Sequence, residues 1–128
     1  MTENEIEQIK AELRRDYPGV EICVLNDGAE IVAEVEPKRA VAVIECSQRH
    51  RHRQTTEDYL VLRGTLQVAC AGQQYVLGPG QSLRIEPGQV HEARGADGVA
   101  WVEVVSEPAW TKEDHVLLAE PPIRPLGT

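Results

Sequence analysis

Turn-forming residues divide most of this sequence into short segments rich in Val, Ile and Leu. Most of these segments are too short for a helix but have the usual length of a β-strand. Short strands separated by frequent turns are typical of all-β sandwiches and barrels. The turn-forming groups are Asn26-Asp27-Gly28, Glu36-Pro37, Arg63-Gly64, Ala71-Gly72, Gly78-Pro79-Gly80, Pro87-Gly88 and Gly95-Ala96-Asp97-Gly98.

The apolar segments between the turns predict the strands. Val and Ile favour strands because their branched side chains pack well on a pleated surface. We expect the longest segment, 40–52, to form one continuous strand. The predicted strands cover residues 22–25, 30–35, 40–52, 57–63, 65–71, 73–77, 81–85, 91–94 and 100–105.

The first residues follow a different pattern, in which Ile6, Ile9 and Leu13 recur at steps of three and four. This spacing predicts an amphipathic helix, and Thr2 and Glu5 form a capping box at its start. A helix this short must pack its apolar side on the rest of the chain or on a second copy of it.

The chain divides into three parts around one predicted domain. Residues 1–19 form the helix, residues 20–110 the β domain, and residues 111–128 a short C-terminal helical turn with a Pro-rich tail. The helical turn is predicted because Thr111 and Asp114 resemble the first turn of a helix.

Charge and composition exclude several classes of partner. Thirteen Lys and Arg residues against 21 Asp and Glu residues give a net charge of −8, which opposes binding to nucleic acid or to an anionic membrane. No segment is apolar enough for a transmembrane helix, and the acidic N-terminus lacks the pattern of a signal peptide. The well-separated Cys23, Cys46 and Cys70 indicate free thiols. We therefore expect a soluble, cytoplasmic protein.

His50 and His52 are two residues apart in a predicted strand, so their imidazoles point to the same side. Glu57 begins the next predicted strand, and His91 begins a later one. Three imidazoles and one carboxylate suit one divalent transition metal ion per chain, such as Fe, Zn, Mn, Ni or Cu. A solvated basic loop is the alternative for the first two histidines, but it does not account for the joint spacing of all four residues.

The same residues resemble the two sequence motifs of the cupin superfamily. The segment His50-x-His52-x4-Glu57-x6-Gly64 is similar to the first motif, and Gly80-x6-Pro87-Gly88-x2-His91 is similar to the second. The resemblance implies a small single-domain cupin, folded as an antiparallel jelly-roll β-barrel of six to eight strands. It also implies that the three histidines and the glutamate are the metal ligands and point into the barrel.

Two further residues are candidate catalytic residues of the pocket. Gln48 has the same parity as His50 in predicted strand 40–52 and could hydrogen-bond to the substrate or to a metal-binding side chain. The alternative is a position at the mouth of the barrel, facing water. Tyr59 has the same parity as Glu57 and could orient it; the alternative is simple packing. His115 stands alone in the predicted C-terminal helical turn, and we do not expect it to bind the metal.

The predicted ligand set also indicates a function. Three neutral imidazoles and one carboxylate leave a divalent ion with one net positive charge, which favours an anionic or oxygen-rich small molecule. Similarity to the cupins implies a metal-dependent enzyme of dioxygenase, isomerase or lyase type. The alternative is a module that binds a metal and a small ligand without turnover. Strands that are apolar on both faces, such as 60–62, predict a covered outer face, with the N-terminal helix or a homodimer partner as the cover.

Overall fold

The computed structural model describes residues 1–118. The N-terminal helix is confirmed as α1, Glu3–Asp16. Its capping box is also present: the Thr2 hydroxyl accepts a hydrogen bond from the Glu5 amide, and the Glu5 carboxylate accepts one from the Thr2 amide. Among the described residues, no helix is both long and apolar enough to cross a lipid bilayer.

Residues 1–118 also contain eleven strands and one 3-10 turn, Asn26–Gly28, joined by turns and loops. The strands are β1 Glu21–Leu25, β2 Glu30–Glu36, β3 Arg39–Ile44, β4 His50–His52, β5 Thr56–Arg63, β6 Leu66–Cys70, β7 Gln73–Leu77, β8 Ser82–Ile85, β9 His91–Gly95, β10 Ala100–Glu107 and β11 His115–Leu117. They form two antiparallel sheets, one in the order β1-β2-β3-β10-β5-β8 and the other in the order β11-β4-β9-β6-β7. The all-β class with one N-terminal helix is therefore confirmed.

The closed jelly-roll barrel is not confirmed, because the strand pairings of residues 1–118 leave two separate sheets. Predicted strand 40–52 is also divided. The Glu45 amide donates to the Ala29 carbonyl at 2.9 Å, whereas the Ser47 amide donates to the Ala93 carbonyl at 2.8 Å. Since Ala93 belongs to the second sheet, the chain crosses between the sheets here, and β3 and β4 are separate strands.

Successive residues of the first sheet point to opposite faces and form two apolar clusters. The inner cluster lies between the sheets and includes Ala42 and Ile44 of β3. The outer cluster includes Val41 and Val43 of the same strand and packs against Leu13 of α1. The helix therefore covers part of the outer face, as one of the two alternatives predicted. The homodimer stays a prediction.

The predicted C-terminal helical turn is wrong for the residues described. The chain forms a turn after Thr111 and then β11, which pairs antiparallel with β4. The Asp114 carboxylate accepts hydrogen bonds from the amides of Gln54 and Thr55 at 2.7 and 3.1 Å, and these bonds hold the segment beside β4. The Pro-rich part of the tail, residues 119–128, lies outside the described residues.

Candidate metal centre

Four side chains from the two sheets meet in the space between them. His50 and His52 lie on β4 and His91 lies on the neighbouring β9, so the second sheet supplies three imidazoles. Glu57 lies on β5 of the first sheet. All four residues are buried, and one candidate ligand atom from each lies within 4.8 Å of the others. The structure thus brings together the residues that the two motifs single out.

Several polar atoms of this cluster have no hydrogen-bond partner within residues 1–118. Glu57 Oε1 lies 3.0 Å from His52 Nε2 and 3.4 Å from His91 Nε2. Neither contact has hydrogen-bond geometry, and all three atoms are buried without a partner among the described residues. Buried polar atoms in this state are costly and rare. A divalent transition metal would use the nitrogen lone pairs and the carboxylate oxygen together, so the donor set fits such an ion.

Backbone carbonyl groups orient two of the imidazoles. His50 Nδ1 lies 2.7 Å from the Gln48 carbonyl oxygen, and His91 Nδ1 lies 2.9 Å from the Gln89 carbonyl oxygen. A carbonyl oxygen only accepts, so each Nδ1 carries the proton and donates. In a neutral ring this leaves the Nε2 lone pair free, which is the form that binds a metal ion.

The pKa shifts of His50 and Glu57 favour the protonation states that bind a metal ion. Burial lowers the pKa of His50 to about 3, and the nearby His91 acts in the same direction. Burial alone would raise the pKa of Glu57, but its contacts with His52 and His91 outweigh burial and hold the pKa below its ordinary value. At neutral pH the site therefore offers a neutral His50 imidazole and an ionised carboxylate.

The cluster lies within a segment that a protein-family model recognises. The model, described as "Cupin domain", matches residues 31–105, which is more than half of the chain. The chain belongs to the cupin family. All four candidate ligands of this cupin lie inside the matched segment, whereas α1 and β11 lie outside it.

Three solved structures are similar to this cupin in fold. Pac13 from Streptomyces, solved with uridine, has a TM-score of 0.63 and 16% identity, with 80% of this chain and 86% of that chain covered. The capsular polysaccharide assembling protein CapF from Staphylococcus aureus has a TM-score of 0.65 and 14% identity, with 79% and 33% covered. KdgF from Halomonas has a TM-score of 0.56 and 15% identity, with 67% and 86% covered. Comparison with curated protein sequences gives no match.

Asp114 lies next to His52, outside the group of four candidate ligands. Its Oδ2 lies 3.8 Å from His52 Nδ1, on the opposite side of the ring from Glu57. Burial would raise the pKa of Asp114, but hydrogen bonds from Thr55 and Gln54 outweigh burial and keep the pKa below its ordinary value. No sequence motif indicates this role, because it depends on the pairing of β11 with β4.

The two candidate catalytic residues lie in different places. Tyr59 is buried in the inner cluster, and its ring lies edge-on to the His91 ring with centroids 6.1 Å apart. Gln48 is exposed, and its side chain lines a groove of about 760 Å³ that none of the four candidate ligands lines. Gln48 does not take the predicted inward position, because residues 47–49 do not form a strand. Gln48 reaches the cluster through its backbone carbonyl, which binds His50.

Glu30 is an inward-facing carboxyl that sequence analysis missed. It pairs with Ile44 of β3 and lies on the same face of β2 as Val32, which packs against the inner cluster. Burial raises the pKa of Glu30 to about 7, and the charge of Glu57 adds to this effect. The alternation of side chains between the two faces of a strand could have indicated this position, since it assigns Glu30 and Val32 to the same face.

The fourth histidine, His115, lies beside the cluster but is not part of it. It is opposite His52 in the pairing of β11 with β4 and therefore lies on the same face of the sheet. Its ring stacks on that of His50, with centroids 4.3 Å apart and an angle of 9° between the planes. The isolated position of His115 in the sequence gave no sign of this contact.

Proposed function

We propose that this cupin is a metal-dependent enzyme that acts on a small polar organic molecule. The metal would be one divalent transition metal ion per chain, with Fe, Zn, Mn and Ni as candidates, held by His50, His52, Glu57 and His91. The observation that carries the proposal is the group of buried ligand atoms within 4.8 Å of one another, several of which have no hydrogen-bond partner among residues 1–118.

The charge of the site indicates the class of substrate. A divalent ion with one carboxylate ligand keeps one net positive charge in a buried setting. When bound, it would polarise a carbonyl group or stabilise an enolate or alkoxide. We therefore propose an anionic or oxygen-rich substrate. Uridine in Pac13 and the inhibitor 3-isopropenyl-tropolone in CapF are oxygen-rich ligands of proteins with a similar fold.

Proton transfer favours isomerase or lyase chemistry over dioxygenase chemistry. Isomerisation and elimination both need a group that takes up and releases a proton near neutral pH. Glu30 has this property, since its pKa is about 7 and its carboxyl faces the space between the sheets. Pac13, described as a nucleoside dehydratase, carries out an elimination on a similar fold. We assign Glu30 the acid–base role, Tyr59 a place beside His91 in the wall of the site, and Gln48 the orientation of His50 through its backbone carbonyl.

Metal analysis tests the site. Tag-free protein, purified without chelators, is expected to contain about one divalent transition metal ion per chain. The double variant His50→Ala/His91→Ala should lose the ion and keep its circular dichroism spectrum. Arg51→Ala is the matched control, because Arg51 lies between His50 and His52 with an exposed side chain. Unchanged metal content in the double variant would contradict the proposed ligands.

Turnover separates the enzyme from the binding module. The loaded protein is incubated in D2O with hydroxy acids, oxo acids, sugar acids and nucleosides, and proton NMR follows carbon-bound hydrogen exchange and loss of water. Oxygen uptake is recorded with the same compounds. Exchange or elimination supports an isomerase or lyase, and substrate-dependent oxygen uptake would show a dioxygenase instead. Stoichiometric metal and ligand binding without turnover would favour the binding module.

A further inference from the structure

The Trp110 and His115 side chains form a hydrogen-bonded pair next to the candidate metal centre. The Trp110 indole Nε1–H donates to His115 Nδ1 at 2.9 Å. An indole nitrogen can only donate, so His115 Nδ1 must accept. A neutral imidazole that accepts at Nδ1 carries its proton on Nε2. Trp110 thus selects the Nε2–H tautomer of His115.

This tautomer is the opposite of the one found in two of the candidate ligands. His50 and His91 donate from Nδ1 to backbone carbonyls and present Nε2 as a lone pair. His115 presents Nε2 as an N–H group, and this nitrogen has no hydrogen-bond partner among residues 1–118. Nε2 of His115 is therefore suited to bind an oxygen atom rather than a metal ion.

The position of His115 suits contact with a molecule that enters the site. Its ring stacks on His50 and lies edge-on to His52, with centroids 4.3 and 5.1 Å apart. The three histidines of the cluster are buried, but His115 is half-buried and Trp110 is 46% exposed. The pair therefore contacts the buried cluster and is also reached by solvent, so a ligand that enters the site from this side would contact it.

We propose that His115, oriented by Trp110, donates a hydrogen bond from Nε2–H to an oxygen of an anionic ligand bound at the metal centre. This inference rests on the proposed function, because it assumes a metal-bound ligand. His115 is a positioning residue in this scheme: it fixes the orientation of a carboxylate or enolate oxygen and does not hold the metal. Trp110 acts through His115.

The tautomer is tested directly in metal-free protein that contains 15N-labelled histidine. Long-range 1H–15N NMR correlations are expected to show the Nε2–H form for His115 and the Nδ1–H form for His50 and His91. In Trp110→Phe, which keeps an aromatic ring but loses the N–H donor, His115 should become a mixture of tautomers. An Nδ1–H form of His115 in the wild type would overturn the inference.

Ligand binding is tested with protein loaded with Co(II), whose visible spectrum changes when oxalate binds. His115→Phe keeps a ring on His50 but removes the donor, so we expect unchanged cobalt content and about tenfold weaker oxalate binding. Trp110→Phe should weaken binding by a smaller factor, and exposed Glu113→Gln should not. Unchanged oxalate affinity in His115→Phe would overturn the inference, as would loss of cobalt, which would make His115 a ligand.

The two proposals fail in different ways. If the wild type takes up no cobalt, the proposed function fails, while the NMR measurement still decides whether Trp110 sets the tautomer of His115. If cobalt binds to the wild type and to His115→Phe with equal stoichiometry but oxalate does not distinguish them, the metal centre stands and the role of His115 is wrong.

Discussion

His50 and His91 lie directly opposite each other in the pairing of β4 with β9, and their ring centroids are 4.1 Å apart. The two sequence motifs therefore meet at a single pair of facing residues. Because side chains alternate along a strand, a shift of this pairing by one residue would turn one of the histidines to the other face of the sheet. The candidate ligands can therefore meet only when β4 and β9 pair in this register.

Removal of the metal should lower stability. Buried Glu57 Oε1 and His91 Nε2 have no hydrogen-bond partner in the described part of the chain, and a bound ion would stabilise the folded state that brings these atoms together. At an ion concentration about 1,000 times the Kd, the gain is about 4 kcal/mol, or roughly 10–20 °C in Tm. Calorimetry with and without a chelator measures it. The double variant His50→Ala/His91→Ala should show no such shift, and an equal Tm for loaded and chelated wild type would contradict the prediction.

Glu30 should make stability depend on pH. Its pKa rises from 4.5 to about 7 on folding, so the folded state binds more protons than the unfolded state between these values. The contribution of Glu30 to the free energy of unfolding is therefore greatest below pH 4.5. It falls by about 1–3 kcal/mol as the pH rises toward 7. Urea unfolding of the metal-free protein at pH 5 and 7.5 should show a smaller loss in Glu30→Gln than in the wild type. Glu34→Gln, an exposed position of the same strand, is the control and should behave as the wild type does.

Gly64 should not tolerate a side chain. It has a φ of +80°, and a Cβ at this position would lie 2.7 Å from the Val99 carbonyl oxygen. Gly72 has nearly the same φ, +81°, but no atom of residues 1–118 would lie within 4 Å of its Cβ. We expect Gly64→Ala to cost about 2–4 kcal/mol of unfolding free energy and Gly72→Ala about 1 kcal/mol. Equal costs in urea unfolding would show that the close contact with Val99 has no effect.

Asp114 should affect metal affinity without binding the metal. Its carboxylate faces His52 Nδ1 at 3.8 Å and accepts two backbone hydrogen bonds from Gln54 and Thr55, which follow β4. We expect Asp114→Asn to weaken metal binding about 10- to 100-fold while the saturated protein keeps its stoichiometry. Competition with a coloured chelator measures the affinity. Glu113→Gln, at the exposed neighbouring position, should leave it unchanged.

Much of the site could be predicted because its residues carry a local pattern. His50 and His52 share a face in any extended strand, and the spacing to Glu57 and His91 resembles the cupin motifs. The capping box of α1 was equally visible, since it needs only Thr2 and Glu5. These features depend on short-range geometry, which the order of residues determines directly.

The features that were missed depend on contacts between distant segments. The division of segment 40–52 follows from amides that bond to Ala29 and Ala93, and nothing in the apolar pattern indicates it. The C-terminal segment has a helix-like start at Thr111, but Asp114 bonds to the chain after β4 and a strand forms instead. Tertiary hydrogen bonds outweighed local propensity in both places.

The candidate ligands are divided between the two sheets: three imidazoles come from one and Glu57 comes from the other. An ion held by all four would act as a cross-link through the middle of the fold, in the way that a disulfide joins two segments. Neither sheet could then move away from the other without breaking a metal–ligand bond. Metal binding should therefore slow amide hydrogen exchange even in β6 and β8, which lie in different sheets and contribute no ligand.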